Sequence, residues 1–232
     1  MSTDLILRSC SDAVCTLTLN RPEKLNALRT EHFDRLNEHL GWLESQAGTV
    51  QCVIIQGAGR SFCAGADLES ARSPAPGIPV YKSRTLQRLA TLPIPVVAKV
   101  HGHCVGGGLE LALCADLIIA AADARFRDAH GKFDLVPAWG LTQRLPRRIG
   151  ASSAKYLMFT GREISGTEAY RIGLVDVVAQ ADGLDAAAAE LARDTCRNSA
   201  FTNREVKALM QRGDGRPVAE SLADEHYRYP SS

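Results

Sequence analysis

The sequence has no C-x-x-C pair, so the cysteine spacing that most structural zinc sites use is missing. It has almost no net charge: at +1 it offers no overall field to recruit nucleic acid or an anionic membrane. The basic residues are scattered, and their densest cluster, Arg144 to Arg148, is broken by Leu145 and Pro146. It also has no long apolar run free of charge. The longest apolar stretch, VGGGLELALCADLIIAAA, carries Glu110, Asp116 and three glycines, which a span of about 20 residues tolerates badly. MSTDLILRSC at the N-terminus contains Asp4 and too short an apolar run for a signal peptide. Seven cysteines is an odd number, and several lie among apolar residues, as Cys52 does before VII and Cys114 in LALCAD. Reduced, buried thiols in a cytoplasmic protein fit that usage better than a disulfide framework. There is no internal repeat and no low-complexity tail. The expectation is a soluble, cytoplasmic protein that binds neither nucleic acid nor membrane.

What is present is an ordinary globular composition, 45% hydrophobic and 23% charged over 232 residues, long enough to bury a large core. VCTLTLN (14–20) alternates apolar and polar residues and predicts a strand. An amphipathic helix follows from about Thr30, its expected N-cap, to Gln46. CVIIQG (52–57), PVVAKV (95–100), DLIIAA (116–121) and LVDVV (174–178) predict further strands. RSPAPGIP (72–79) predicts a loop, and helices are expected from Val80 to Ala90 and from the triple glycine to Cys114. From Ser152 onward the pattern is mostly helical. Strand–helix alternation argues for α/β layering. The simplest division is a catalytic core over residues 1–178 and a helical C-terminal region over 179–232.

Two stretches carry chemistry: SFCAGADL (61–68), just after a strand, and HGHCVGGGLEL (101–111), between a strand and a helix. Small residues let a ligand approach the backbone, and a glycine-rich turn into a helix leaves amides free to donate. At the second stretch the helix dipole adds partial positive charge. Two such loops together meet the requirement of an oxyanion hole; either alone could be a tight turn packed on a helix. The triplet is neither G-x-G-x-x-G nor followed by a phosphate-loop lysine, so a nucleotide fingerprint is absent. His101 and His103 flank Gly102 without an evident third ligand, so no metal is expected. His32, His39 and His226 have the spacing of helix-surface residues.

LNRPEKLNAL (19–28), SFCAGADL, HGHCVGGGLELALCAD and GREISGTEAYRIGLVDVV (161–178) resemble the enoyl-CoA hydratase/isomerase family, the crotonases, in order and approximate spacing. The resemblance implies a spiral of ββα units with a helical C-terminal region that builds homotrimers or hexamers. It also implies acyl-CoA thioester chemistry through an enolate-like intermediate, with no cofactor beyond the coenzyme A of the substrate. On that pattern the amides of Ala66 and Gly107 grip the thioester carbonyl. Lys24, Ala64, Asp67, Leu68 and Gly106 line the coenzyme A and substrate site. Asp67 could equally cap a helical turn, and Lys24 could be an ordinary solvated lysine. Trp139 and Phe133 are either acyl-pocket lining or core, and Tyr81 is a further pocket candidate.

Family hydratases use two glutamates. The first is present as Glu110, a carboxylate on an otherwise apolar helix, where an unpartnered charge is costly. Counting back seven from Pro137 of PAWG, the second position falls on His130, in RDAHGKFDL. A neutral histidine there could accept a proton, and a histidinium could donate one. In isolation the same residue could be an ordinary loop histidine. Glu110 with His130 thus forms an acid–base pair for adding water to a 2-enoyl-CoA. Another crotonase reaction, or thioester binding without turnover, is the alternative. Relatives continue past an ESLADEH-like segment into a further helix, whereas this chain ends at HYRYPSS. The resemblance then implies an acyl pocket that is more open, or finished by a neighbouring subunit.

Overall fold

A hairpin opens the computed structural model, which describes residues 4–69 and 75–226. Strand β1 (Ile6–Ser11) runs antiparallel to β2 (Val14–Leu19), and Asp12 takes the left-handed conformation (φ 52°) at the turn. Cys10 and Cys15 face each other across the hairpin and are joined by a disulfide. This corrects the expectation of reduced thiols at these two positions; the other five cysteines are free, and four of them are buried. Only the register of β1 against β2 brings the pair together, and the N-terminal strand has no alternation to announce it.

Beyond β2 the sheet continues in parallel through β3 (Cys52–Gly57), β4 (Val96–Val100), β6 (Leu117–Ala121) and β9 (Val177–Ala179). In β2 the alternation holds: Cys15, Leu17 and Leu19 are buried between half-covered Val14, Thr16 and Thr18. The parallel strands are covered on both faces and read as continuous apolar runs. A second, three-stranded sheet joins β5 (His103–Val105), β7 (Arg125–Arg127) and β8 (Ile164–Ser165). Those strands are too short to show a period in the sequence.

Helices α1 (Thr30–Ser45) and α2 (Ile78–Ala90) pack on each other over the sheet. Phe33, Leu36, Leu40 and Leu43 form the buried stripe of α1. Thr30 is the first helical residue and not the cap: the cap is Arg29, whose amide donates to His32 Nδ1 at 3.1 Å. His32 is therefore a buried residue, 1% exposed, rather than a surface one. Burial pushes its pKa down to about 4, and the nearby charges of Arg21 and Arg29 add to the shift. Of the proposed 72–79 loop, residues 72–74 lie outside the described residues, and Ile78 already begins α2.

Helix α3 (Gly107–Ala112) follows the triple glycine. Then come α4 (Leu141–Ile149), α5 (Ala151–Thr160), α6 (Gly166–Arg171), α7 (Leu184–Arg197), α8 (Ala200–Gly213) and α9 (Val218–His226). Helix α7 lies across β3, β4, β6 and β9 and buries Leu184, Ala188 and Ala192. Two aspartates pin strand starts: Asp116 accepts from the Val96 amide and Asp176 from the Ile118 amide, each at 2.7 Å. Asp176 therefore precedes β9, which starts three residues later than Leu174. Among the described residues no helix is long and apolar enough to cross a membrane.

Candidate active site

The two small-residue loops are laced together along their backbones. The Phe62 and Cys63 amides donate to the carbonyls of His101 and His103, both at 2.8 Å, and the Val105 amide returns to Cys63 at 3.0 Å. Gly108 has to be glycine, because a Cβ there would lie 2.3 Å from the Cys63 carbonyl oxygen. Asn26, fully buried and itself left-handed (φ 57°), holds the first loop from below. Its Nδ2 donates to the carbonyls of Ala58, Ser61 and Phe62, and its Oδ1 accepts from the Arg21 amide.

This lacing leaves two amides unused. On either side of Ala66, the Gly65 carbonyl accepts from Leu28 and the Asp67 amide donates to Leu28. The Ala66 amide itself finds no acceptor among the described residues. Gly107 is the first residue of α3, so its amide has no carbonyl within the helix to reach. A Cβ on Gly107 would lie 3.1 Å from Ala66 N and 2.3 Å from Cζ3 of Trp139. Both amides therefore border one small space, with the indole ring as its wall.

Glu110 lies one turn into α3 and is 2% exposed. Its Oε1 accepts from the backbone amides of Trp139 (2.8 Å) and Leu141 (3.2 Å). The PAWG turn that supplies them is shaped by Gly140 (φ 114°) and tied down by Arg144, which donates to the Trp139 carbonyl at 2.8 Å. The other oxygen, Oε2, lies 3.6 Å from Nε2 of His130. On its far side His130 meets Asp128, whose Oδ1 lies 2.5 Å from the ring Nδ1 and 3.0 Å from the His130 amide. Asp128 is 4% exposed. The result is a buried file of carboxylate, imidazole and carboxylate.

Burial by itself disfavours a charged His130. The hydrogen bonds to Asp128 and Glu110, and the charges of both, outweigh it and push the pKa up to about 9. That shift favours the imidazolium at neutral pH, the donating one of its two open states. Its ring also faces Gly106, where a Cβ would lie 3.8 Å from Cε1. Such an arrangement can give a proton from Nε2 and take one at Oε2 within the same small volume.

Glu110, His130, Gly106, Gly107, Ala66 and Trp139 thus come together. Ala64, whose amide donates to Leu25 at 2.9 Å, joins the first loop to the RPEKLN stretch. Lys24 and Leu68 are exposed. Asp67 directly precedes helical residues 68–69 and is ion-paired with Arg21 at 2.7 Å. Trp139 is both core and wall: it is 7% exposed and meets Phe33 edge-to-face, centroids 5.0 Å apart. Phe133 is 41% exposed and so is not a core residue. Tyr81 is committed to α1, donating to Asp34 at 2.6 Å and accepting from Asn37 at 3.1 Å. His101 is taken up by the Gly59 carbonyl at 2.9 Å. Among the described residues no group of three His, Cys, Asp or Glu side chains could hold a metal ion. Asp128, Asn26 and Arg21 were missed. The D-x-H spacing of Asp128 and His130 was the one available signal.

The sequence profile of the family described as enoyl-CoA hydratase/isomerase matches residues 9–227. The chain belongs to the enoyl-CoA hydratase/isomerase family. It is 37% identical to the 1,2-epoxyphenylacetyl-CoA isomerase of Escherichia coli over 85% of this chain and 78% of that one. It is 35% identical to the short-chain-enoyl-CoA hydratase of Clostridium acetobutylicum over 91% and 83%. The crystal structure of an enoyl-CoA hydratase from Bacillus anthracis superposes with a TM-score of 0.92 at 33% identity, covering 97% and 89%. The crotonase fold expected from the four motifs is therefore the fold of this enoyl-CoA hydratase/isomerase family member. Its relatives include both a hydratase and an isomerase, so membership gives the chemistry of the class and leaves the reaction to the site.

Proposed function

We propose that the protein hydrates 2-enoyl-CoA thioesters, with Glu110 as base and His130 as acid. The observation that carries this reading is the Glu110–His130–Asp128 file beside two unpartnered amides. The amides of Ala66 and Gly107 form the oxyanion hole: they hold the thioester oxygen as it gains charge, and they need no proton of their own to do so. Glu110 Oε2 takes a proton from water as the hydroxyl adds to the β-carbon. His130 Nε2 delivers its proton to the α-carbon. Transfer of the captured proton from Glu110 to His130, across the 3.6 Å that separates them, restores both groups. Asp128 keeps Nδ1–H engaged and so fixes which nitrogen faces the substrate. Lys24, Ala64, Asp67 and Leu68, with Arg21 paired to Asp67, are assigned to the coenzyme A side. Assembly as a homotrimer or hexamer belongs to the same reading.

Loss of the ultraviolet absorbance of crotonyl-CoA, with recovery of the 3-hydroxyacyl product, tests it. Glu110→Gln and His130→Ala should each lower kcat by about 100–10,000-fold, the usual worth of a positioned acid or base. An unchanged rate in His130→Ala would remove the paired mechanism. A shifted double bond in place of a hydroxyl in the product would make the enzyme an isomerase.

A further inference from the structure

Lys82 stands in the middle of α2 and is 3% exposed. Its Nζ lies 5.3 Å from the Phe33 ring centroid and 5.5 Å from that of Trp139. It has no hydrogen-bond acceptor and no ion-pair partner among the described residues. An isolated ammonium in such a place is costly, and two ring faces offset only part of that cost. Burial lowers its affinity for a proton, while the fields of Glu31 and Asp67 oppose the shift.

Its position gives the charge a use. Lys82 is one aromatic ring away from the reacting centre, because the same Trp139 ring covers Gly107 at the shared space of the two amides. In the proposed hydratase that space seats the thioester, and the role of Lys82 rests on that reading. An acyl group seated there would have to run along the Trp139 and Phe33 rings to reach Nζ, which lies within 5.5 Å of both centroids. We propose that Lys82 selects acyl-CoA substrates carrying a second carboxylate at the far end of the acyl chain, which supplies the missing anionic partner. A purely apolar chain would leave the ammonium desolvated and unpaired, so the site discriminates against it as well as for the diacid.

Binding of glutaryl-CoA, pentanoyl-CoA and free coenzyme A, measured by titration calorimetry, tests this without any turnover, since neither saturated thioester can be hydrated. The wild-type protein should bind glutaryl-CoA at least about 30-fold more tightly than pentanoyl-CoA, and Lys82→Met should abolish that preference. Lys82→Arg should keep part of it. Equal wild-type affinity for the two thioesters overturns the proposal, and that comparison stands even if Lys82→Met fails to fold. Equal weakening of all three ligands by Lys82→Met also overturns it, by assigning the lysine to the phosphates of coenzyme A. Absence of hydration with glutaconyl-CoA and 2-pentenoyl-CoA, despite a diacid preference in binding, would remove the hydratase reading and leave this one in place.

Discussion

At the scale of single residues, His130 is governed by its two carboxylate neighbours. If it donates a proton in the reaction, kcat/KM should fall on the alkaline side with an apparent pKa near the 9 of the resting enzyme. Asp128→Asn removes one of the charges that raise this value. The alkaline limb should then move down by about 1–3 pH units, the usual worth of a close opposite charge. A limb that stays in place in Asp128→Asn, measured with crotonyl-CoA from pH 6 to 10, would show that another group sets it. The same groups bear on stability. A folded pKa raised above the ordinary 6.5 means that the imidazolium stabilises the fold fully below about pH 6.5, and that this contribution fades as pH rises through about 9.

At the scale of elements, the junction of β5 with α3 matters most, because it places the free Gly107 amide and Glu110 within one turn of chain and brings the first beside the Ala66 amide of the other loop. Gly107→Ala would put a methyl group against Trp139 and beside the Ala66 amide. If the Gly107 amide is the proposed oxyanion donor, that methyl group obstructs it, and at about 2.7–4 kcal/mol for a lost donor kcat should fall by at least about 100-fold. Circular dichroism should meanwhile show the helix content unchanged; lost helicity would make the defect one of folding. The motifs around this junction were legible from the sequence because a glycine triplet and a lone glutamate in an apolar helix both break local rules. The strands β5, β7 and β8 were not. Two or three residues carry no period, and only pairing with a distant partner makes them strands.

At the scale of the whole molecule, the C-terminal helices are tied to the sheet by a buried charge. Lys207 of α8, 8% exposed, pairs with Asp116 at 2.6 Å and donates to the Ile94 carbonyl at 3.1 Å. Lys207→Ala should cost about 3 kcal/mol in urea denaturation, the low end for breaking a buried pair, because Asp116 keeps some contact with water. A loss below about 1 kcal/mol would mean that the pair contributes no more than a surface one. Phe159, Met210 and Val218, on α5, α8 and α9, are each more than 70% exposed. Sedimentation equilibrium should find three or six chains of 25.0 kDa; a monomer at micromolar concentration would remove the trimer expectation.

The sequence by itself determined the family, the layered α/β order, the two small-residue loops and the positions of Glu110 and His130. Each of these is a local matter: a period, a glycine that nothing else can replace, or a charge in an apolar run. Only the tertiary structure decided that Asp128 closes the file behind His130 and turns a histidine of ordinary pKa into a resting acid. Tertiary packing also buried His32, paired Asp67 with Arg21, and set the buried Lys82 against two aromatic rings. Those outcomes depend on distances between residues as far apart as α1, α2 and the PAWG turn, and a linear pattern holds no record of them.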